Sequence, residues 1–194
     1  MALKIGFIPI EGGHYYREAL EEVTRAEELG FDSVWIEEHH SVTNHYWPSP
    51  LTVLAHVAAC TRTIRIGTAI LVLPLRQPVL LAKELATLDV LSRGRLVLGV
   101  GTGWDADEFA ACAVPLAERG PRTDETLHLL RRLLTEETVT FEGRFHRVSD
   151  VSIDPQPARF PEVWIGGGSK IGDPSSADKP RMARSVLERI RRDA

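Results

Sequence analysis

Cysteine is scarce in this 194-residue chain, which contains only two. Cys60 and Cys112 lie far apart in the sequence and form no Cys-x-x-Cys pair. This spacing argues against a disulfide framework and against a thiolate metal site. We therefore expect both cysteines to be reduced and packed inside the fold.

Long apolar runs and an excess of positive charge are also missing. The most apolar stretches, 64–75 and 79–91, are interrupted by charged residues or proline, well short of the roughly 20 residues that a membrane span needs. The N-terminal run lacks the pattern of a secretory signal, so we expect a cytoplasmic protein with no membrane partner. The 23 basic residues are outnumbered by 27 acidic ones, and no basic run occurs before the C-terminal end, so nucleic acid is not an expected partner.

Short apolar runs alternate with helical patterns five times along the chain, which is typical of βα units around a parallel sheet. The expected strands cover 3–9, 33–36, 64–71, 96–98 and 163–165. The expected helices cover 16–29, 79–91, 121–135 and 180–192, and Ser49-Pro50 opens another. A hairpin with arms 139–141 and 144–146 and a loop over 170–178 complete a single predicted domain, 1–194.

Polar, aromatic or glycine residues lie at the C-terminal end of every expected strand. These segments cover 11–16, 37–40, 68–69, 101–104 and 166–169. In parallel βα architectures, ligands bind where the strands end, because the loops and the helix N-termini converge there. The sequence therefore predicts a ligand site at this edge of the sheet.

The run Glu37-Glu38-His39-His40 is the sharpest single feature. Because side chains alternate along a strand, two of these four residues are expected to face the site. The neighbouring carboxylates would favour the protonated form of His39, which suits a proton donor. A histidine that only packs and hydrogen-bonds is the alternative.

A metal site is not expected, because no His-x-His or His-Glu-x-x-His spacing is present. Such a site would have to recruit His14, His45 and Glu37 from separate loops. A metal-dependent hydrolase on the same fold therefore stays open only as an alternative function.

Two glycine-rich segments follow the later strands. The segment 99–103 lacks the spacing of dinucleotide-binding loops and is a weak signal by itself. The run Gly166-Gly167-Gly168-Ser169 would bring backbone N–H groups and a hydroxyl close to an anion, although a plain turn is also compatible with it. Aromatic residues in the loops offer surfaces for a planar ligand, namely Tyr15, Tyr16, Tyr46, Trp47 and Trp104.

Taken together, these residues resemble the luciferase-like monooxygenase family, flavin- or deazaflavin-dependent oxidoreductases built on a TIM barrel. The matching motifs are LGFDSVW at 29–35, EHH at 38–40, IGTA at 66–69, LDVLSRGR at 88–95, GVGTGW at 99–104, ERG at 118–120 and WIGG at 164–167. They follow one another along most of residues 3–168. The resemblance implies an α/β fold, a luciferase-like TIM barrel of which about five of eight βα units are present.

The resemblance further implies a monooxygenase that uses reduced FMN and O₂ on a small organic substrate, with a flavin reductase as partner. A deazaflavin coenzyme with hydride transfer is the alternative. The ring would lie over Ala69 and Ile70, which the family joins by a cis peptide bond, and His39 would assist proton transfer. The phosphate is expected near Gly101, Thr102, Gly167, Gly168 and Ser169. The substrate pocket is expected to comprise His14, Tyr15, Glu38, His40, Trp47 and Trp104.

The C-terminal part departs from the family pattern, since a complete barrel needs eight strands and about 250 residues. Either the chain is part of a longer protein, which the pattern favours, or it is a short homologue whose partial barrel is completed by association. The unpaired edges of a partial sheet predict a homo-oligomer. A non-catalytic flavin-binding partial barrel is the remaining alternative.

Overall fold

The computed structural model describes residues 3–9, 15–40, 47–167, 169–170, 181–182 and 188. The strands are β1 (Gly6–Phe7), β2 (Ser33–Ile36), β3 (Arg65–Thr68), β4 (Leu71–Val72), β5 (Leu96–Gly101), β6 (Val139–Glu142), β7 (Arg147–Val151), β8 (Glu162–Ile165), β9 (Ser169–Lys170) and β10 (Arg181–Met182). The α-helices of the described segments are α1 (Tyr16–Glu28), α2 (Pro50–Cys60), α3 (Pro78–Ser92), α4 (Ala106–Ala111) and α5 (Arg119–Leu133).

A parallel sheet organises the molecule, with neighbouring strands in the order β1, β2, β3, β5 and β8. Strand β4 continues the line of β3, because Leu71 pairs with Val100 and Val72 pairs with Gly101 of β5. Consecutive strands thus lie side by side with the helices between them in sequence, as βα units require. This confirms the predicted α/β fold and its partial barrel.

The two faces of the sheet are filled differently. Val34 and Ile36 of β2 belong to the core that packs against the helices, whereas Trp35 between them points to the other face. A Cβ on Gly6 would lie 2.7 Å from the Trp35 indole nitrogen, and one on Gly67 would lie 2.5 Å from its ring. The neighbouring strands therefore carry glycine where the tryptophan crosses them.

The core lies between the sheet and the helices. Its fully buried members include Leu54, Ile66, Leu85, Leu98 and Leu130. Each such side chain contributes about 1.5–3 kcal/mol by leaving water, so the packing of α2, α3 and α5 holds the strand ends in place.

The third predicted strand, 64–71, is interrupted. It consists of β3 and β4, and the peptide bond between Ala69 and Ile70 that separates them is cis. The fourth strand is longer than predicted, because Val100 and Gly101 add to the ladder by pairing with β4. The predicted strand end at residue 98 was therefore wrong, since the strand continues to Gly101.

The predicted second arm of the hairpin, 144–146, was also wrong. The backbone N–H groups of Arg144, Phe145 and His146 donate to the Glu125 carboxylate of α5, at 2.8 Å each. These groups form the turn, so the returning strand β7 starts only at Arg147. Glu125 thereby ties the hairpin to α5.

The C-terminal segment differs from the predicted helix at its first described residues. Arg181 and Met182 pair with Lys170 and Ser169 in an antiparallel ribbon, instead of starting a helix at residue 180. Glu188 is helical, and the remainder of the predicted terminal helix lies outside the described residues.

The cysteines depart from the prediction as well. Both Cys60 and Cys112 are free thiols, as expected, but their side chains are exposed and not packed. None of the helices in the described ranges combines the length and apolar character of a bilayer-crossing segment.

Candidate active site

The predicted site lies where β2, β3 and β5 end. The Ala69 backbone N–H donates to the Ile36 carbonyl (2.9 Å), which joins the end of β2 to the interruption after β3. Beyond Ile36, the chain enters the polar run Glu37-Glu38-His39-His40. The loop after β5 leads to α4. Two segments with polar and ionisable side chains therefore meet at one edge of the sheet.

His39 pairs with Glu108, a carboxylate from α4. The His39 Nδ1 atom lies 2.6 Å from Glu108 Oε1, and the His40 backbone N–H donates to the same oxygen at 2.7 Å. The Glu108 side chain is 1% exposed and that of His39 17%. With Nδ1 facing the carboxylate, the pair has the arrangement of a histidine oriented by an acid, in which Nε2 is the nitrogen that can exchange a proton with a ligand.

Helix α4 begins at a cap that sets the position of Glu108. The Asp105 carboxylate accepts a hydrogen bond from the Asp107 backbone N–H (2.9 Å). Glu108 lies one turn further and is buried together with Phe109. The cap and the buried face thus direct Glu108 towards the His39 loop.

Glu38 fixes the same loop from the other side. Its fully buried carboxylate accepts the Val72 backbone N–H (2.5 Å) and contacts the Arg76 guanidinium. His40 Nε2 lies 3.1 Å from Glu38 Oε1 without hydrogen-bond geometry. Since backbone and guanidinium groups surround this carboxylate, Glu38 holds the loop in place.

Ile70 forms an apolar ledge across the strand ends. Its side chain occupies the space next to Gly101 and Gly166: a Cβ on Gly166 would lie 3.0 Å from Ile70 Cγ2, and one on Gly101 would collide with Ile70 Cδ1. Ala69 and Ile70 are both half-buried. The glycines therefore make room for the Ile70 side chain, which stays partly open to solvent.

Trp104 borders the site on the solvent side. Its ring is 73% exposed and meets the His39 ring edge-on, with 5.8 Å between the ring centroids. An indole in this position forms one wall beside His39.

Comparison with known proteins gives the family. The model of the luciferase-like monooxygenase family matches residues 6–173. The chain belongs to this family. The F420-dependent glucose-6-phosphate dehydrogenase of Intrasporangium calvum is 35% identical over 178 residues, covering 87% of this chain and 53% of the relative. The chain spans about half the length of the curated relatives it matches.

Two solved structures are similar to the chain over most of its length. Monooxygenase RslO1 from Streptomyces bottropensis is 37% identical with a TM-score of 0.74, covering 85% of this chain and 52% of that one. An F420-dependent secondary alcohol dehydrogenase, solved with an F420-acetone adduct, is 25% identical with a TM-score of 0.75, at the same coverage of both chains.

The residues expected to hold a phosphate are only partly described. Thr102 is half-buried, and its hydroxyl makes one long contact of 3.5 Å, to the Gly103 carbonyl. Gly167 is exposed just after β8, and Ser169 starts β9. Gly168 lies outside the described residues.

The remaining expected pocket residues do not all reach the site surface. Trp47 is 4% exposed, belongs to the core and packs edge-on against Tyr16 at 5.9 Å between ring centroids. Tyr15 is 45% exposed directly before α1. His14 and His45 lie outside the described residues.

Glu108 and Arg76 are the functional candidates that the sequence reasoning missed. The sequence did contain a signal for Glu108. Asp105 is followed three residues later by Glu108 and then by an apolar residue, which is the pattern of a helix start with its capping pair. This pattern would have predicted α4 between the fourth expected strand and the helix expected at 121–135. No local pattern links Arg76 to Glu38.

Proposed function

We propose that this luciferase-like protein is an oxidoreductase that moves a hydride between an alcohol carbon and a deazaflavin ring, with His39 as its acid–base group. The observation that carries the proposal is the buried Glu108 carboxylate 2.6 Å from His39 Nδ1. An oriented imidazole of this kind suits the removal of a hydroxyl proton. The similarity to F420-dependent dehydrogenases, one named for an alcohol substrate, supports the choice of cofactor.

The residues present fit a planar ring system. The Ile70 ledge offers an apolar, half-buried surface at the strand ends, and its neighbours Gly101 and Gly166 place no side chain against it. The Thr102 hydroxyl and the Gly167 backbone would hold the phosphate end. When bound, the deazaflavin supplies the carbon that accepts or releases the hydride.

The chain's own residues would manage the proton. His39 Nε2 takes the proton of the substrate hydroxyl while the C–H bond of the same carbinol carbon releases its hydride, leaving a carbonyl product. Glu108 stabilises the resulting imidazolium through Nδ1, and Glu38 with Arg76 keeps the loop from shifting. Trp104 shields one side of His39 from water. General acid–base catalysis of this type contributes roughly 10²- to 10⁴-fold to the rate.

An FMN-dependent monooxygenase acting on a small organic substrate with O₂ is the second candidate. The 37% identity to monooxygenase RslO1 favours it. The same ledge would support the ring, and His39 would transfer a proton beside it. The two candidates therefore differ in the cofactor and in the need for O₂.

Cofactor titration separates the candidates. We expect coenzyme F420 to bind with saturation, followed by its fluorescence, at least about 10-fold more tightly than FMN, a difference of about 1.4 kcal/mol. Tighter binding of FMN, with O₂ consumption once FMN is reduced, would assign the second function. A folded protein that binds neither would contradict both.

Replacement of His39 tests the proton step. His39→Ala should lower turnover by roughly 10²-fold or more with nearly unchanged cofactor affinity. His128→Ala removes an exposed histidine of α5 and serves as the matched control. Full turnover in His39→Ala, with an unchanged pH profile, would return His39 to a structural role.

A further inference from the structure

Three potential metal ligands converge at the start of α4. One ligand atom each from His39, Asp105 and Glu108 lies within 4.8 Å of the other two. Two segments supply them, the loop after β2 and the cap and first turn of α4, and His39 and Asp105 are 66 positions apart. Short-range motif spacing therefore gave no indication of the cluster.

The donor set has the chemistry of a first-row divalent cation site. One imidazole nitrogen and two carboxylate oxygens match the ligands of Zn²⁺, which forms bonds of about 2.0–2.2 Å and accepts three protein ligands with water in the fourth position. Ligand atoms of one such ion lie roughly 3–4 Å apart. The ligand atoms of the cluster all lie within 4.8 Å of one another, and the 2.6 Å between His39 Nδ1 and Glu108 Oε1 opens towards this spacing when the ion enters.

The burial and the charge of the Glu108 carboxylate also favour a bound cation. The Glu108 side chain is 1% exposed, and its Oε1 lies 2.6 Å from the imidazole nitrogen of His39. A carboxylate removed from water needs a positive partner, which a divalent cation supplies more strongly than a shared proton. Asp105 is half-buried, and its position is set by the cap that it forms with the Asp107 backbone N–H.

We propose that His39, Asp105 and Glu108 bind a Zn²⁺-type cation that replaces the proton between His39 Nδ1 and Glu108 Oε1. The displaced proton leaves to solvent. A bound ion also removes the His39–Glu108 pair from proton transfer, so zinc inhibits the enzyme. This inhibitory consequence rests on the proposed function, whereas the binding itself does not.

Calorimetric titration of the cofactor-free protein with Zn²⁺ alone tests the binding. We expect saturable binding by the unaltered protein and at least about 10-fold weaker binding by Asp105→Asn, since one carboxylate ligand is lost. Asparagine is also a good helix cap, so α4 should stay folded. Asp107→Asn removes the same charge two residues away and should leave the affinity unchanged. Mg²⁺ should not saturate the site, because it prefers oxygen ligands in octahedral geometry.

Two results would overturn the proposal. Absence of saturable Zn²⁺ binding would exclude the site, and equal affinities of the unaltered protein and Asp105→Asn would place the ion elsewhere. Glu108→Gln is a second variant, which keeps an oxygen to accept the His40 backbone N–H and should show the same loss. Because no cofactor or substrate is present, failure of the proposed oxidoreductase function would leave this measurement unaffected.

Discussion

The two ends of the parallel sheet differ in the partners of their charged side chains. Where the strands begin, Arg95 and Glu27 direct their charges almost entirely to backbone groups. Where the strands end, Glu38 also accepts a backbone N–H, but Glu108 faces His39, another titratable side chain. A charge used by the backbone serves the fold, whereas a charge that faces a titratable partner can take part in proton transfer. The following substitutions test this division.

Arg95 should give the largest effect. Its guanidinium donates to the carbonyls of Ser92, Ile64, Ala58 and Thr61 and to the Thr61 hydroxyl. Arg95→Met leaves these acceptors without their donor, so the free energy of unfolding should fall by about 3 kcal/mol, measured by urea denaturation. Arg62→Met, with an exposed side chain, should change it by less than about 0.5 kcal/mol. An equally small change in the free energy of unfolding of Arg95→Met would contradict the structural role assigned to charges where the strands begin.

Replacement of Glu27 should lower the stability of the fold by a smaller amount, and this loss should depend on pH. Burial raises its pKa, but hydrogen bonds from the backbone N–H groups of Ile64, Thr63 and Arg62 outweigh burial and lower the pKa to about 2, from an ordinary 4.5. A folded-state pKa below the unfolded one gives stability that is present above about pH 4.5 and lost as the pH falls towards 2.

Glu27→Gln tests this effect directly. At pH 7 the variant should lose about 1 kcal/mol, a value reduced for partial exposure of the carboxylate. The difference from the unaltered protein should shrink as urea denaturation is repeated at decreasing pH between 5 and 3. Glu28→Gln removes the exposed neighbour that pairs with Arg25, and it should show no comparable pH dependence. A difference that grows on acidification would contradict the assignment.

Thr102 belongs to the other end of the sheet, so its removal should affect binding and not stability. Thr102→Val should weaken cofactor binding about 5- to 10-fold, as expected for the loss of one hydrogen bond of about 1 kcal/mol. Thr87→Val, on the exposed side of α3, is the matched control. Unchanged cofactor affinity in Thr102→Val would remove this residue from the proposed phosphate site.

Trp104 should have the smallest effect on stability. Because its ring is 73% exposed, Trp104→Ala should change the free energy of unfolding by no more than about 0.5 kcal/mol. We expect KM for the substrate to rise, since the wall beside His39 is lost. A loss of stability above about 2 kcal/mol would show that the indole supports the fold, against the division between the two ends.

The sequence predicts the architecture better than the contacts that span it. Apolar periodicity located the parallel strands because each βα unit buries its own local pattern, and the histidine run pointed to the candidate site because it directly follows β2. The partner of His39 was not predicted, because Glu108 lies 69 positions away in the sequence, on a short helix. The start of the second hairpin strand was not predicted for the same reason. The turn amides donate to the Glu125 carboxylate, which lies about 20 positions earlier in the sequence.

The most direct test compares Glu27→Gln and Glu108→Gln, the same substitution at the two ends of the sheet. Both unfolding free energy and turnover with the bound cofactor are measured for each variant. We expect Glu27→Gln to lose about 1 kcal/mol of stability and to retain turnover, whereas Glu108→Gln keeps its stability within about 1 kcal/mol and loses roughly 10²-fold in turnover. Full turnover in Glu108→Gln, or a loss of turnover explained entirely by unfolding, would contradict the account.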